Sequence, residues 1–129
     1  MIVLDASVLI AQLDAGDALH DRASVALEEA AAWPFGASTI TIAEILVGPA
    51  RSGQLPAAQA ALHDLGLTEI ALSDDAASRL SVLRAQTGLK LPDCCVLLAA
   101  QDTSAQAVLT FDDRLAATLD EAGIARSAS

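Results

Sequence analysis

Four acidic residues occupy positions that an ordinary solvated carboxylate rarely takes. Asp5 directly follows the apolar run Ile2-Val3-Leu4, and Asp112 follows Ala107-Val108-Leu109-Thr110-Phe111. Asp93 follows Leu91-Pro92 and precedes the most apolar stretch of the chain, Cys94 to Ala100. Glu44 lies within Ile42-Ala43-Glu44-Ile45-Leu46-Val47, at the edge of the helical stripe made by Ile42, Ile45 and Leu46. If the runs before Asp5 and Asp112 are strands of a parallel sheet, both acids emerge at strand carboxyl ends, where open α/β sheets bind their ligands. Carboxylates gathered at one edge cannot all stay ionised without counter-charge. A divalent cation supplies that charge, and an oxygen-only donor set suits Mg²⁺ or Mn²⁺ rather than zinc. No His stands at these junctions to suggest a softer metal, and Cys94 beside Asp93 opens the apolar run.

Each acid also has a purely structural use. Asp5 can cap a helix. Glu44 completes a capping-box pattern that opens at Thr41. Asp93 complements a helix dipole from the first turn. Thr110-Phe111-Asp112-Asp113 has the spacing of another capping box, so one of Asp112 and Asp113 is expected to be structural. What joins the four is placement: all are expected at helix starts, three of them beside strongly apolar segments.

The elements that must position these acids are set by periodicity and punctuation. Ile2 to Leu4 suits a buried parallel strand. A helix is expected from Ser7 to about Asp14, and a second with Leu19, Ala23, Ala26, Leu27 and Ala30 on one face, ended by Trp33-Pro34. Phe35 to Thr39 reads as a strand. Thr41 is expected to open a helix that runs to about Val47, before Gly48-Pro49. Pro56 to Leu65 forms a helix and Leu67 to Leu72 a strand. Ser73-Asp74-Asp75 opens a helix closed by Gly88. Leu91-Pro92-Asp93 starts the next; its body is apolar all round and is expected to be the central buried helix. Ala107 to Thr110 is a strand, Asp112 or Asp113 opens a helix closed by Gly123, and Ile124-Ala125 offers a last short strand. Strands that alternate with helices predict an α/β fold with a mainly parallel sheet.

Composition narrows the classes. The 129 residues are 53% hydrophobic and 19% charged, which excludes a disordered chain. The longest solid apolar run is too short for the ~20 residues of a membrane span. The opening residues have no basic lead or long apolar stretch, so no secretory leader is expected. Cys94 and Cys95 are adjacent, a poor disulfide pair, and this points to a cytoplasmic location. Seventeen acids against seven bases give a net charge of −10, the wrong balance for nonspecific binding to nucleic-acid phosphates.

The same residues resemble a known family. Ile2-Val3-Leu4-Asp5-Ala6-Ser7-Val8-Leu9-Ile10 resembles the opening of PIN-domain proteins: a strand, an Asp, then a small hydroxyl residue. Ile42-Ala43-Glu44-Ile45 resembles the family's helical Glu, Leu91-Pro92-Asp93-Cys94 its third-acid motif, and Leu109-Thr110-Phe111-Asp112-Asp113-Arg114-Leu115 its late Thr-x-Asp segment. Length and order resemble the VapC-type toxins, the ribonucleases of type II toxin–antitoxin pairs. The resemblance covers the whole chain, residues 1–129, as one PIN-like domain. It implies a three-layer α/β/α sandwich around a mainly parallel sheet. It also implies RNA phosphodiester hydrolysis with one or two Mg²⁺ or Mn²⁺ ions, a cognate antitoxin that blocks the site, and a homodimer. Carried over position by position, it makes Asp5, Glu44, Asp93 and Asp112 the acidic constellation and Ser7 and Thr110 supporting hydroxyls, with Asp113 able to replace or assist Asp112.

Hydrolysis of a phosphodiester needs a nucleophile. No Ser-His or Cys-His arrangement offers one, and His20 and His63 lie in polar helical stretches that read as surface. Metal-activated water is the economical source. Asp5 and Asp93 are then the expected ligands of the first ion. Glu44 acts through water or as a proton acceptor, and Asp112 completes the shell or holds a second ion. Because the chain stays acidic beyond these residues, RNA must be drawn by metal and by local bases, with Arg84, Lys90 and Arg114 as candidates. Three rivals remain. A phosphoacceptor regulatory domain fits poorly, since it pairs acids at the first strand and places a lysine beside a late one, whereas Lys90 is the only lysine here. A phosphatase that opens with two aspartates two residues apart is disfavoured by Ser7. A catalytically inactive PIN-like binding module has the same fold, and the intact acid set argues against it.

Overall fold

Ile2, Val3 and Leu4 are fully buried because β1 (Ile2–Leu4) runs inside a four-stranded sheet rather than along its edge. The computed structural model describes residues 1–127. In chain order the remaining elements are α1 (Ala6–Leu13), α2 (His20–Glu29), β2 (Phe35–Ser38), α3 (Thr39–Arg51), α4 (Leu55–Asp64), β3 (Thr68–Ile70), α5 (Ala76–Thr87), α6 (Leu91–Thr103), β4 (Ala107–Leu109) and α7 (Asp113–Glu121). The sheet order is β3-β2-β1-β4, and every pairing is parallel. Ile2 stands beside Phe35 on one side and Ala107 on the other, so the carboxyl ends of β1, β2 and β4 lie along one edge.

Side chains alternate across the sheet, as the two-residue period of a strand requires. Ile2, Leu4, Phe35, Ala37, Ala107 and Leu109 join one core with residues of α1 to α4. Val3 and Val108 join a second core with Leu89, with Val96, Leu97 and Ala100 of α6, and with Leu115 and Leu119 of α7. Two cores on opposite faces of one sheet make the α/β/α sandwich. Helix α6 is buried from Cys94 to Ala100, as its all-round apolarity predicts, and both cysteines are free thiols. No helix among the described residues is long and apolar enough to cross a membrane.

Three expectations need correction. Helix α3 does not open at Thr41: Ser38 at the end of β2 is its cap, its hydroxyl accepting from the Ile40 amide at 3.3 Å. Thr41 is instead buried, and its hydroxyl finds no partner among the described residues. Glu44 therefore sits in the second turn of α3 rather than at a helix start. Nor does Gly48-Pro49 end this helix. It continues to Arg51, because Pro49 falls in the last turn, where few helical residues remain for its ring to disturb. Finally, Ile124 and Ala125 form no strand; the Ala125 carbonyl accepts one hydrogen bond, from the Val108 amide at 2.9 Å, at the open edge of β4.

The second core makes a direct prediction. Leu115→Ala removes a side chain with no exposed surface and leaves a cavity between α7 and α6. Urea unfolding should show a loss of about 2–5 kcal/mol. A loss under about 1 kcal/mol would contradict the packing described.

Candidate active site

Strand β1 carries Asp5 to the carboxyl edge, where its backbone amide donates to the Leu109 carbonyl of β4 at 3.2 Å. Its side chain then caps α1: Oδ1 accepts from the Val8 amide at 3.2 Å and from the Ser7 hydroxyl at 2.6 Å. Oδ2 accepts from the Thr110 hydroxyl, which arrives from the end of β4. Ser7 Oγ in turn accepts from the Phe111 amide at 2.9 Å, and Thr110 Oγ1 from the Asp112 amide at 2.9 Å. Two hydroxyls thus tie Asp5 to the loop that leads into α7. Asp5 is only 4% exposed. Three donors occupy three of the roughly four acceptor sites that a carboxylate offers, so one site on Oδ2 stays open.

The capping use expected of Asp112 is present. Its Oδ1 accepts from the Leu115 amide at 2.8 Å, and the second oxygen is left over. Asp113 is the first residue of α7 and is exposed. Asp93 lies in the first turn of α6, half-buried. The loop that delivers it is held firmly: Arg84 donates to the Leu89 carbonyl at 2.7 Å, Arg114 to the Gly88 carbonyl at 2.9 Å, and the Leu89 amide donates to Thr87 Oγ1 at 3.1 Å. Gly88 adopts φ 71°, where a side chain would be strained and its Cβ would press on the Arg114 guanidinium at 3.3 Å. Two of the three bases read as RNA contacts, Arg84 and Arg114, are thus engaged in positioning this loop. His20 is also engaged elsewhere, its Nδ1 2.8 Å from the Ala11 carbonyl, and His63 is exposed in the last turn of α4.

Electrostatics joins the four acids. Burial pushes the Asp5 carboxyl above its ordinary range; the donors from Ser7, Thr110 and Val8 pull it back, and the charge of Asp112 raises it further. Glu44 is raised by partial desolvation, then by Asp93 and Asp5. Asp93 is raised by desolvation, then by Asp112 and Asp5, with Lys90 and Arg114 opposing. The acid of the Asp112-Asp113 pair that acts on Asp5 and Asp93 is Asp112. Among the described residues no three His, Cys, Asp or Glu side chains close into a ready-made metal cage. The donor chemistry nonetheless fits a hard divalent cation: oxygen atoms only, an open position on Asp5, and a concentration of negative charge that burial makes costly.

An all-parallel sheet between two helical layers, with Asp5 and Asp112 just past its strand ends, defines an α/β/α class, and comparison places the chain within one family of it. A family model described as PIN domain matches residues 2–120. The chain belongs to the PIN-domain family. It is similar to the solved structure of a toxin–antitoxin complex from Klebsiella pneumoniae, with 32% identity over 87% of each chain and a TM-score of 0.70. It also shares a fold with VapC20 of Mycobacterium tuberculosis, a sarcin–ricin-loop-cleaving toxin, at 21% identity over 92% of this chain and 95% of that one, with a TM-score of 0.70. VapBC2 of Rickettsia felis, solved on a promoter DNA fragment, aligns at 18% identity over 94% of this chain and 92% of that one, with a TM-score of 0.63. A comparison with curated proteins gives no match.

The raised carboxyls set a sign. An acid whose pKa is higher in the folded state binds its proton more tightly there, so its ionisation opposes folding. That opposition is absent below the ordinary carboxylate range, grows as pH rises through the raised value, and is complete above it. In protein free of divalent ions, Asp93→Asn should therefore melt above wild type at neutral pH. The gap should close as pH falls into the ordinary carboxylate range. A variant that melts at or below wild type at neutral pH would contradict the repulsion between these groups.

Proposed function

We propose that this chain is a divalent-metal-dependent endoribonuclease and the toxin of a toxin–antitoxin pair. The observation that carries the proposal is the buried Asp5 carboxylate, placed where it feels Asp112 and itself raises Glu44 and Asp93. Membership of the PIN-domain family supports it, as does 32% identity to a chain solved as part of a toxin–antitoxin complex.

Asp5, Glu44, Asp93 and Asp112 would hold one or two Mg²⁺ or Mn²⁺ ions. Bound there, the metal supplies Lewis-acid stabilisation of the phosphoryl oxygens and an acidified water. The chain's own part is orientation. Ser7, Thr110 and the Val8 amide fix the rotamer of Asp5, and partners of this kind often matter nearly as much as the ligands they hold. The Arg84 and Arg114 ties hold the start of α6 and so the backbone of Asp93. Glu44, on the exposed side of α3, is suited to accept the proton released by the attacking water. Asp113 is left as a first-turn acid of α7 and a minor contributor. RNA is the substrate, a cognate antitoxin the inhibitor and a second copy of this chain the dimer partner, with residues 1–129 acting as one domain in the cytoplasm.

The test is cleavage of total RNA by the purified chain, with and without Mg²⁺ and with the cut ends mapped. Removing one ligand forfeits several kcal/mol of transition-state stabilisation, so Asp93→Asn should cut at least about a hundredfold more slowly. Mg²⁺ should raise the Tm of wild type and leave that of Asp93→Asn unmoved. Cleavage by Asp93→Asn at the wild-type rate would overturn the proposal.

A further inference from the structure

A cavity of about 510 Å³ opens between α2 and the segment joining β4 to α7. Its size lies within the ~300–1,000 Å³ of ordinary ligand pockets. Thr110 lines it and is the residue whose hydroxyl holds Asp5. Phe111 lines it too, with its amide fixed on Ser7 Oγ. The wall of the cavity and the shell of Asp5 are therefore one hydrogen-bonded unit. Arg22 reaches over from α2 and lays its guanidinium on the Phe111 ring, 4.7 Å from the centroid.

Of the other bases, Lys90 stands by the start of α6 and acts on Asp93, and four arginines are engaged. Arg79 pairs with Asp75 and Asp102, Arg126 with Asp120, and Arg84 and Arg114 bind carbonyls. Among the described residues, the Arg22 side chain makes no ion pair and no hydrogen bond. With its central carbon over the ring, the Arg22 guanidinium keeps its N–H donors in its own plane and unused by protein acceptors among the described residues. That fork matches two phosphate oxygens. Asp21 and Glu29 also line the cavity, as does Arg126, which Asp120 already holds, so among the described residues Arg22 is the lining base left without an acidic partner.

We propose that Arg22, held on Phe111, binds the phosphate of an RNA nucleotide flanking the scissile bond, and that the cavity receives that nucleotide. The inference rests on the ribonuclease reading above. It makes Arg22 a substrate-binding residue, and Phe111 the platform that sets its distance from Asp5. It also answers the charge imbalance: a chain with net charge −10 keeps an unpaired guanidinium in a cavity whose wall, through Thr110, is shared with Asp5.

The test pairs kinetics with binding in the full chain. In RNA cleavage, Arg22→Ala should raise KM roughly tenfold and leave kcat within about twofold, because a flanking phosphate is held alike in ground and transition states. Binding is measured by anisotropy with labelled mixed-sequence single-stranded RNA, in an Asp93→Asn background that does not cut. There, Arg22→Ala should lower the slope of log K against log salt by about one. Phe111→Leu keeps an apolar side chain against the core, and should weaken binding less than Arg22→Ala does. Unchanged KM and salt slope in Arg22→Ala would overturn the inference while Asp93-dependent cleavage still stood. So would a loss of affinity for a partner protein with RNA binding intact. Failure of the ribonuclease reading would look different: wild type and Asp93→Asn would cut alike. The salt slope would then decide Arg22 alone.

Discussion

Burial of one carboxylate organises this molecule. Asp5 sits at the end of a central strand with almost no access to solvent, and burial of a charged acid is costly unless donors surround it. The donors come from two directions. Val8 and Ser7 belong to the helix that Asp5 caps, whereas Thr110 belongs to the far end of the chain. A single side chain thereby locks β1, α1 and the β4–α7 segment together. Capping does not exclude the proposed ligation: the cap fixes the rotamer, and one lone pair on Oδ2 stays open.

The other acids are held more loosely, and from different elements. Asp93 depends on a loop fastened by Arg84 and Arg114, and on a left-handed Gly88 that no other residue replaces without strain. Asp112 spends one oxygen on capping α7. Glu44 projects from the second turn of α3, whose start is set by Ser38 at the end of β2. Helices α1, α3 and α7 each begin just beyond the carboxyl end of a strand, so the parallel topology delivers Asp5, Glu44 and Asp112, whereas Asp93 comes from the α5–α6 loop.

Much of this is legible in the sequence, for local reasons. Ile2-Val3-Leu4-Asp5 announces a buried strand with an acid at its carboxyl end, and the apolar run after Asp93 announces a buried helix. The sheet order and the pairing of Ile2 with Phe35 and Ala107 have no local signal, because they depend on contacts between distant segments. The start of α3 is ambiguous from residue types alone, since Ser38-Thr39-Ile40-Thr41 offers several hydroxyls suited to capping, and only packing selects Ser38. Arg84 and Arg114 look like any solvated bases until their carbonyl partners are in place. The Arg22–Phe111 stack joins two elements with no shared motif, so nothing in the sequence flags it.

Charge on Asp5 raises both Glu44 and Asp93, and the proposed divalent cation would relieve that repulsion. Carboxyl-carbon NMR resolved for these three residues, titrated against pH with and without Mg²⁺, tests it most directly. Without the ion, all three should titrate above the ordinary carboxylate range; with it, their protons should be displaced and the midpoints should fall together. Ordinary midpoints that ignore Mg²⁺ would contradict it.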